Sequence, residues 1–138
     1  MIGVVVATHG RLAEELLRTA EGIVGPLDRC EAISIGSNQS MEDCKARLEE
    51  AVRRVDEGQG VLVLTDMFGG TPANLALMLL DERLEVVTGV NLPMLIKVAS
   101  ARSSGLPLAE AAQLVTNHAQ KNISVASEVL RARARPRT

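Results

Sequence analysis

Four short strand-like runs, each broken off by a glycine-bearing polar segment, constrain this chain more than any other feature. Residues 2–7 are apolar and stop at Thr8-His9-Gly10, and residues 30–35 stop at Gly36-Ser37-Asn38. Residues 61–65 stop at Asp66-Met67-Phe68-Gly69-Gly70-Thr71-Pro72, and residues 84–88 stop at Gly89-Val90-Asn91-Leu92-Pro93. The runs at 2–7 and 61–65 are continuously apolar and read as strands buried on both faces, the habit of parallel sheets; those at 30–35 and 84–88 read as further strands. Parallel neighbours need long crossovers, and here the intervening residues switch to helical spacing. The fold class is therefore α/β: an open, mostly parallel four-stranded sheet with flanking helices and right-handed connections.

The helices follow from the same pattern. Leu12, Leu16, Leu17, Ala20, Ile23 and Val24 recur at a 3.6-residue period, and Gly25-Pro26 stops the run. Ser40 with Asp43 three residues on approximates a capping box. Met41, Cys44, Leu48, Ala51 or Val52, and Val55 form the inner stripe of the helix that follows. Residues 73–80 are apolar almost all round and predict a buried helix. Further helices are expected over 94–101 and over 107–120, the latter with Leu108, Ala111, Ala112, Val115 and Ala119 inward. Residues 123–129 are ambiguous. The alternation Ile123, Val125, Ser127, Val129 suits a short antiparallel C-terminal strand, whereas the Ala and Leu content permits a helix extension. A length of 138 residues points to one domain, placed at 1–130, followed by a basic flexible tail at 131–138.

Composition removes several function classes. One Phe with no Tyr and no Trp leaves no stacking platform for bases, which argues against a nucleic-acid partner. The net charge is −2, but the last eight residues hold four Arg and no acid, so residues 1–130 carry −6. The basic end reads as a solvated segment rather than a nucleic-acid arm. No apolar stretch reaches the roughly 20 residues of a membrane span. Residues 1–7 lack the basic start of a secretory signal, so the chain is expected to be cytoplasmic. Cys30 and Cys44 fit neither a CxxC nor a zinc pattern, and reduced thiols are expected. No metal set is expected, no phosphate-binding GxxxxGK[ST] exists, and no cofactor is implied.

In open parallel sheets, sites form beyond the carboxyl ends of the strands, where the strand order reverses. His9 stands at such an end, before a glycine that permits close approach. A helix-capping or solvent-facing histidine is the bland alternative. Asp66 changes the balance if the first and third strands are neighbours. A carboxylate can accept the N–H of one imidazole nitrogen and leave the other free as a nucleophile. Asp66 could equally cap its own turn, and both roles can coexist. Gly69-Gly70-Thr71-Pro72 looks like a helix entry, with Thr71 as N-cap and Pro72 in the first helical position. Uncovered N–H groups and the helix dipole there would suit an anion such as a phosphoryl group. Phe68 either packs under this loop or docks a partner, and Asn91, after the fourth strand, is a second candidate for partner docking. His118, late in its helix, reads as structural.

Taken together, IGVVVATHG at 2–10, LVLTDMFGGTPAN at 62–74 and TGVNLPML at 88–95 are similar to the mannose-type enzyme IIA domain of the bacterial phosphoenolpyruvate-dependent sugar phosphotransferase system. The resemblance covers about residues 1–130. It implies that His9 is the phosphorylated residue, that Asp66 orients its ring, and that Gly69, Gly70 and Thr71 hold the phosphoryl group. It also implies a phosphotransferase that takes its phosphoryl group from the histidine-containing phosphocarrier protein and passes it to a IIB component. The membrane would be met only indirectly, through the IIC/IID permease. A homodimer with exchange of a last strand, here at 123–129, is implied as well. Relatives often continue through an Ala/Pro-rich linker into a IIB domain, so this chain is expected to act as a stand-alone IIA. The alternative is a regulatory module whose phosphorylation state signals to a kinase or transcription regulator, or the phosphocarrier subunit of dihydroxyacetone kinase. A histidine phosphatase is disfavoured because Thr8, not Arg, precedes His9. An aspartyl receiver domain fails because the first strand ends without paired acids.

Overall fold

A computed structural model of the protein describes residues 1–134. Four parallel strands lie in the order β2-β1-β3-β4: β1 is Gly3–His9, β2 Cys30–Ile35, β3 Val61–Thr65 and β4 Leu84–Thr88. The chain moves outward from β1 to β2, then crosses back to place β3 on the other side of β1. That reversal lies between β1 and β3, with Gly3 opposite Val61 and Ala7 opposite Thr65. The two strands therefore end side by side, and the residues that follow them meet at one edge of the sheet.

Side-chain alternation divides the core into two layers. Val4, Val6, Leu62 and Leu64 face α1 (Leu12–Val24), α4 (Leu92–Ser103) and α5 (Leu108–Lys121). Val5, Ala7, Val61 and Val63 face α2 (Met41–Val55) and α3 (Thr71–Met78). Cys30 packs against the first layer and Cys44 lies in the second, and both thiols are free. Burial pushes the Cys30 thiol up to about 11, although Arg102 beside it acts in the opposite direction.

The buried stripe of α1 is Ala13, Leu16, Leu17 and Ala20, at i, i+3, i+4 and i+7. Leu12, Ile23 and Val24, expected on the inner face, are exposed; they are the first and the last two residues of the helix. In α2, Cys44, Leu48, Ala51 and Val55 are buried as expected, whereas Met41 is exposed at the helix start, near the strand ends. Ser40 caps α2, its Oγ accepting the Asp43 N–H at 3.1 Å.

Residues 123–129 form no strand. The N–H groups of Glu128 and Val129 donate to the Val125 carbonyl, and α6 runs over Ala126–Ala134. The sequence Ala-Ser-Glu-Val-Leu-Arg-Ala-Arg-Ala is rich in good helix formers, and the segment pairs with neither edge of the sheet. The helix includes Arg131–Ala134, the first half of the expected flexible tail, while residues 135–138 lie outside the described residues. None of the α6 residues is buried.

Candidate functional site

His9 is the last residue of β1, and Asp66 is the first residue after β3. The Asp66 carboxylate oxygen Oδ2 accepts two hydrogen bonds from His9. The backbone N–H donates to it at 3.1 Å, and Nδ1 lies 2.8 Å from it. The second oxygen, Oδ1, accepts the N–H of Met67 at 3.1 Å. Asp66 thus caps its own turn and holds the imidazole, so both expected roles occur together. Its side chain is 14% exposed. Burial alone would push its carboxyl up, but the hydrogen bonds from the His9 ring and backbone prevail and hold it below the ordinary aspartate range. An ionised carboxylate can only accept, so in the neutral ring the hydrogen sits on Nδ1 and Nε2 keeps its lone pair. The His9 side chain is 49% exposed, which leaves it open to a reactant.

The loop after Asp66 brings the start of α3 against this ring. Gly69 has φ +87°, a left-handed conformation that favours glycine. Gly70, not Thr71, is the N-cap of α3; Thr71 is the first helical residue and Pro72 the second. The chain needs to be extended at the cap, and Gly70, with φ −83° and ψ 164°, supplies that one residue earlier than expected. No side chain caps α3, and its first turn carries no acid, so the positive end of its dipole is left uncompensated near His9.

Gly70 is required by its neighbour rather than by its own backbone. A Cβ placed there would lie 2.6 Å from Cε1 and 3.3 Å from Nε2 of His9. Since φ −83° suits any residue, Gly70→Ala is expected to leave the fold intact and push the ring off Asp66. Loss of the His9 Nδ1–H signature in ¹⁵N NMR, with an unchanged far-UV spectrum, checks this. A wild-type signature would show that the ring and loop adjust at no cost.

Around the ring, His9, Ile35, Ser37, Gln39, Met41 and Thr71 line a cavity of about 270 Å³. Phe68 is 76% exposed, and Met67 and Met41 are also exposed, so Phe68 does not pack under its loop. Asn91 is engaged within the chain. Its Oδ1 accepts the Met94 N–H at 3.0 Å as the cap of α4, and its Nδ2 donates to the Ala119 carbonyl at 3.4 Å. His118 interacts with Asn122 of its own chain segment and does not join His9 and Asp66. Among the described residues no cluster of three His, Cys, Asp or Glu is placed to hold a metal. Sequence reasoning passed over the Thr8 hydroxyl, which is fully buried and hydrogen-bonded beside His9. The available signal was a hydroxyl residue ending an otherwise apolar run.

The family model described as "PTS system fructose IIA component" matches residues 3–116. The chain belongs to this family of phosphotransferase-system IIA components. The match begins at β1 and extends into α5, so it contains His9, Asp66 and the loop to Thr71. Among relatives, the chain is 30% identical over 132 residues to the fructose-specific EIIA component of Bacillus subtilis, covering 94% of this chain and 90% of that one. It is 36% identical over 103 residues to the mannose-specific EIIAB component of Escherichia coli, covering 73% of this chain and 32% of that one. The chain thus spans about a third of the length of the mannose-specific curated relatives it matches. The crystal structure of the EIIA phosphotransferase-system component from Streptococcus agalactiae superposes with a TM-score of 0.84 at 26% identity, covering 93% of this IIA chain and 99% of that one.

Proposed function

We propose that this IIA protein carries a phosphoryl group on Nε2 of His9, taken from the histidine-containing phosphocarrier protein and delivered to a IIB component. The observation that carries the reading is the 2.8 Å contact between His9 Nδ1 and Asp66, which leaves Nε2 as the nucleophile beside the uncapped start of α3. The Nε2 lone pair forms a bond to phosphorus while the donor's P–N bond breaks. The electron pair of that bond returns to the donor ring nitrogen. His9 keeps its Nδ1 proton, so the phosphorylated ring gains positive character, which Asp66 offsets. No proton has to move, and delivery to IIB runs the same events outward. Gly69, Gly70 and Thr71 present the helix end to the phosphoryl oxygens, whose charge of roughly −2 suits an uncompensated dipole. Phosphoryl transfer depends mainly on positioning and charge stabilisation, and these residues supply both. The exposed Phe68, Met67 and Met41 form an apolar rim on which a partner protein can seat. No described helix is long and apolar enough to cross a membrane, so contact with the IIC/IID permease would run through IIB. Incubation with labelled phosphoenolpyruvate, enzyme I and the phosphocarrier protein tests the reading: an acid-labile, base-stable adduct is expected, and an unlabelled chain overturns it.

We infer further that the protein is a homodimer. Ile123, Val125, Val129 and Leu130 are exposed together at the C-terminal end, and β4 is an edge strand. Exposed apolar side chains on and just before a helix that no described residue covers favour pairing with a second copy. Since 126–134 is helical, the contact is expected through helix packing rather than an exchanged strand. Light scattering should give a dimer for the full chain and a monomer, or a weaker dimer, for residues 1–121. A monomer at micromolar concentration removes the assembly, and an equally stable truncated dimer removes the role of this segment.

A further inference from the structure

We propose that the Thr8 hydroxyl is a positioning residue for His9, acting through the backbone rather than on the reactant; the proposal rests on His9 being the residue that reacts. Thr8 lies in β1 and is 0% exposed. A buried hydroxyl is costly unless its hydrogen-bonding capacity is met, and a β-branched apolar residue such as valine would fill the same space without that cost. Here the capacity is met in a directed way. Oγ1 accepts the N–H of Ala13 at 2.7 Å. Its own proton is thereby turned to the other side, where it is donated to the His9 carbonyl at 3.1 Å. Accepting from one group strengthens donation to the next.

These two bonds join the start of α1 to the residue that carries the chemistry. Arg11, the N-cap of α1, gives the helix no side-chain cap, and Thr8 provides one from the strand. The backbone around His9 is then held at three points. Its N–H donates to Asp66 Oδ2, its carbonyl accepts from Thr8, and the next N–H, of Gly10, donates to the Ile35 carbonyl at 3.0 Å. Asp66 Oδ2 serves both the His9 backbone and the His9 ring. Thr8 thus holds the carbonyl side of the His9 Cα and Asp66 its N–H side, so a displacement of that Cα shifts the ring relative to the carboxylate. Thr65, the buried hydroxyl residue ending β3, shows the contrast. It donates to the Val87 carbonyl at 3.4 Å, joining two strands, and its hydroxyl has no such link to Asp66.

The test compares Thr8→Val, which keeps the shape and loses the hydroxyl, with Thr8→Ser, which keeps the hydroxyl. Two readouts are taken on the full chain: the ¹⁵N signature and water exchange of the His9 Nδ1–H in the unphosphorylated protein, and the rate of phosphoryl uptake from the phosphocarrier. Thr8→Val is expected to weaken the Nδ1–H signature, to speed its exchange, and to slow uptake on the order of 10²-fold, the scale of a small misplacement of a reacting group. Thr8→Ser is expected to restore both. A Thr8→Val protein that melts earlier yet keeps the wild-type ring signature and rate would reduce Thr8 to a helix cap and overturn the proposal. So would a folded Thr8→Ser protein that fails to restore them. Should Thr8→Val not fold, Thr8→Cys takes its place, because a thiol is a poor donor of similar size. If the wild-type chain takes up no label, the phosphoryl-transfer reading fails, while the ring signatures still report whether Thr8 holds His9.

Discussion

His9→Ala is expected to abolish phosphoryl uptake while leaving the fold intact. The proposed nucleophile is removed outright, and no other imidazole replaces it, since His118 is tied to Asn122 in another part of the chain. The substitution is structurally mild. The His9 side chain is half exposed and belongs to neither core layer, so few packing contacts are lost. Asp66 loses the ring contact but keeps the N–H of residue 9 and that of Met67. Far-UV circular dichroism should therefore match the wild type, and labelling in the full relay should fall to background. Persistent label in the His9→Ala protein would overturn the assignment, and label lost only on His118→Ala would move the site.

Asp66→Ala should retain the fold and the nucleophilic atom yet slow transfer by about 10² to 10⁴, the range seen when a catalytic histidine loses its tautomer lock. The carboxylate does three things at once: it fixes the hydrogen on Nδ1, orients the ring and holds the His9 backbone. A rate within twofold of wild type would leave Asp66 only the capping of its own turn. A pH dependence accompanies the loss. The Asp66 carboxyl titrates below its ordinary value, so its hydrogen bonds add stability that is fully present above about pH 4 and is lost as the pH falls through the depressed native value. Asp66→Asn should reduce the acid-side slope of a melting-temperature series, and an unchanged slope would place the acid sensitivity elsewhere.

Much of this site was legible because it depends on local chemistry. A histidine ending one buried strand, an aspartate ending another and a glycine-rich helix entry after the aspartate can each be read from neighbouring residues. Phe68 remained undecided, because whether a loop side chain folds under or points outward depends on what lies beneath it. Asn91 carries a local signal of another kind, since its position three residues before the Met94 N–H makes it the cap of α4. Thr8 escaped attention because its partners are a helix amide five residues on and a carbonyl next door, and neither bond leaves a periodic trace.

The sequence by itself determined the order of strands and helices, most of the buried stripes of α2 and α5, and the choice of His9 and Asp66 as the candidate pair. Hydrophobic periodicity and turn chemistry are properties of adjacent residues, so they survive without knowledge of the fold. Only the tertiary structure decided that β3 lies against β1 with Gly3 opposite Val61, which turns two residues 57 apart in the chain into a hydrogen-bonded pair. It also decided that Gly70 must lack a side chain, because the constraint comes from the His9 ring and not from the backbone of Gly70. It decided the state of residues 126–134 as well. Alternation there permits a strand, but a strand needs an edge to pair with, whereas a helix meets its hydrogen bonds within itself, and α6 forms.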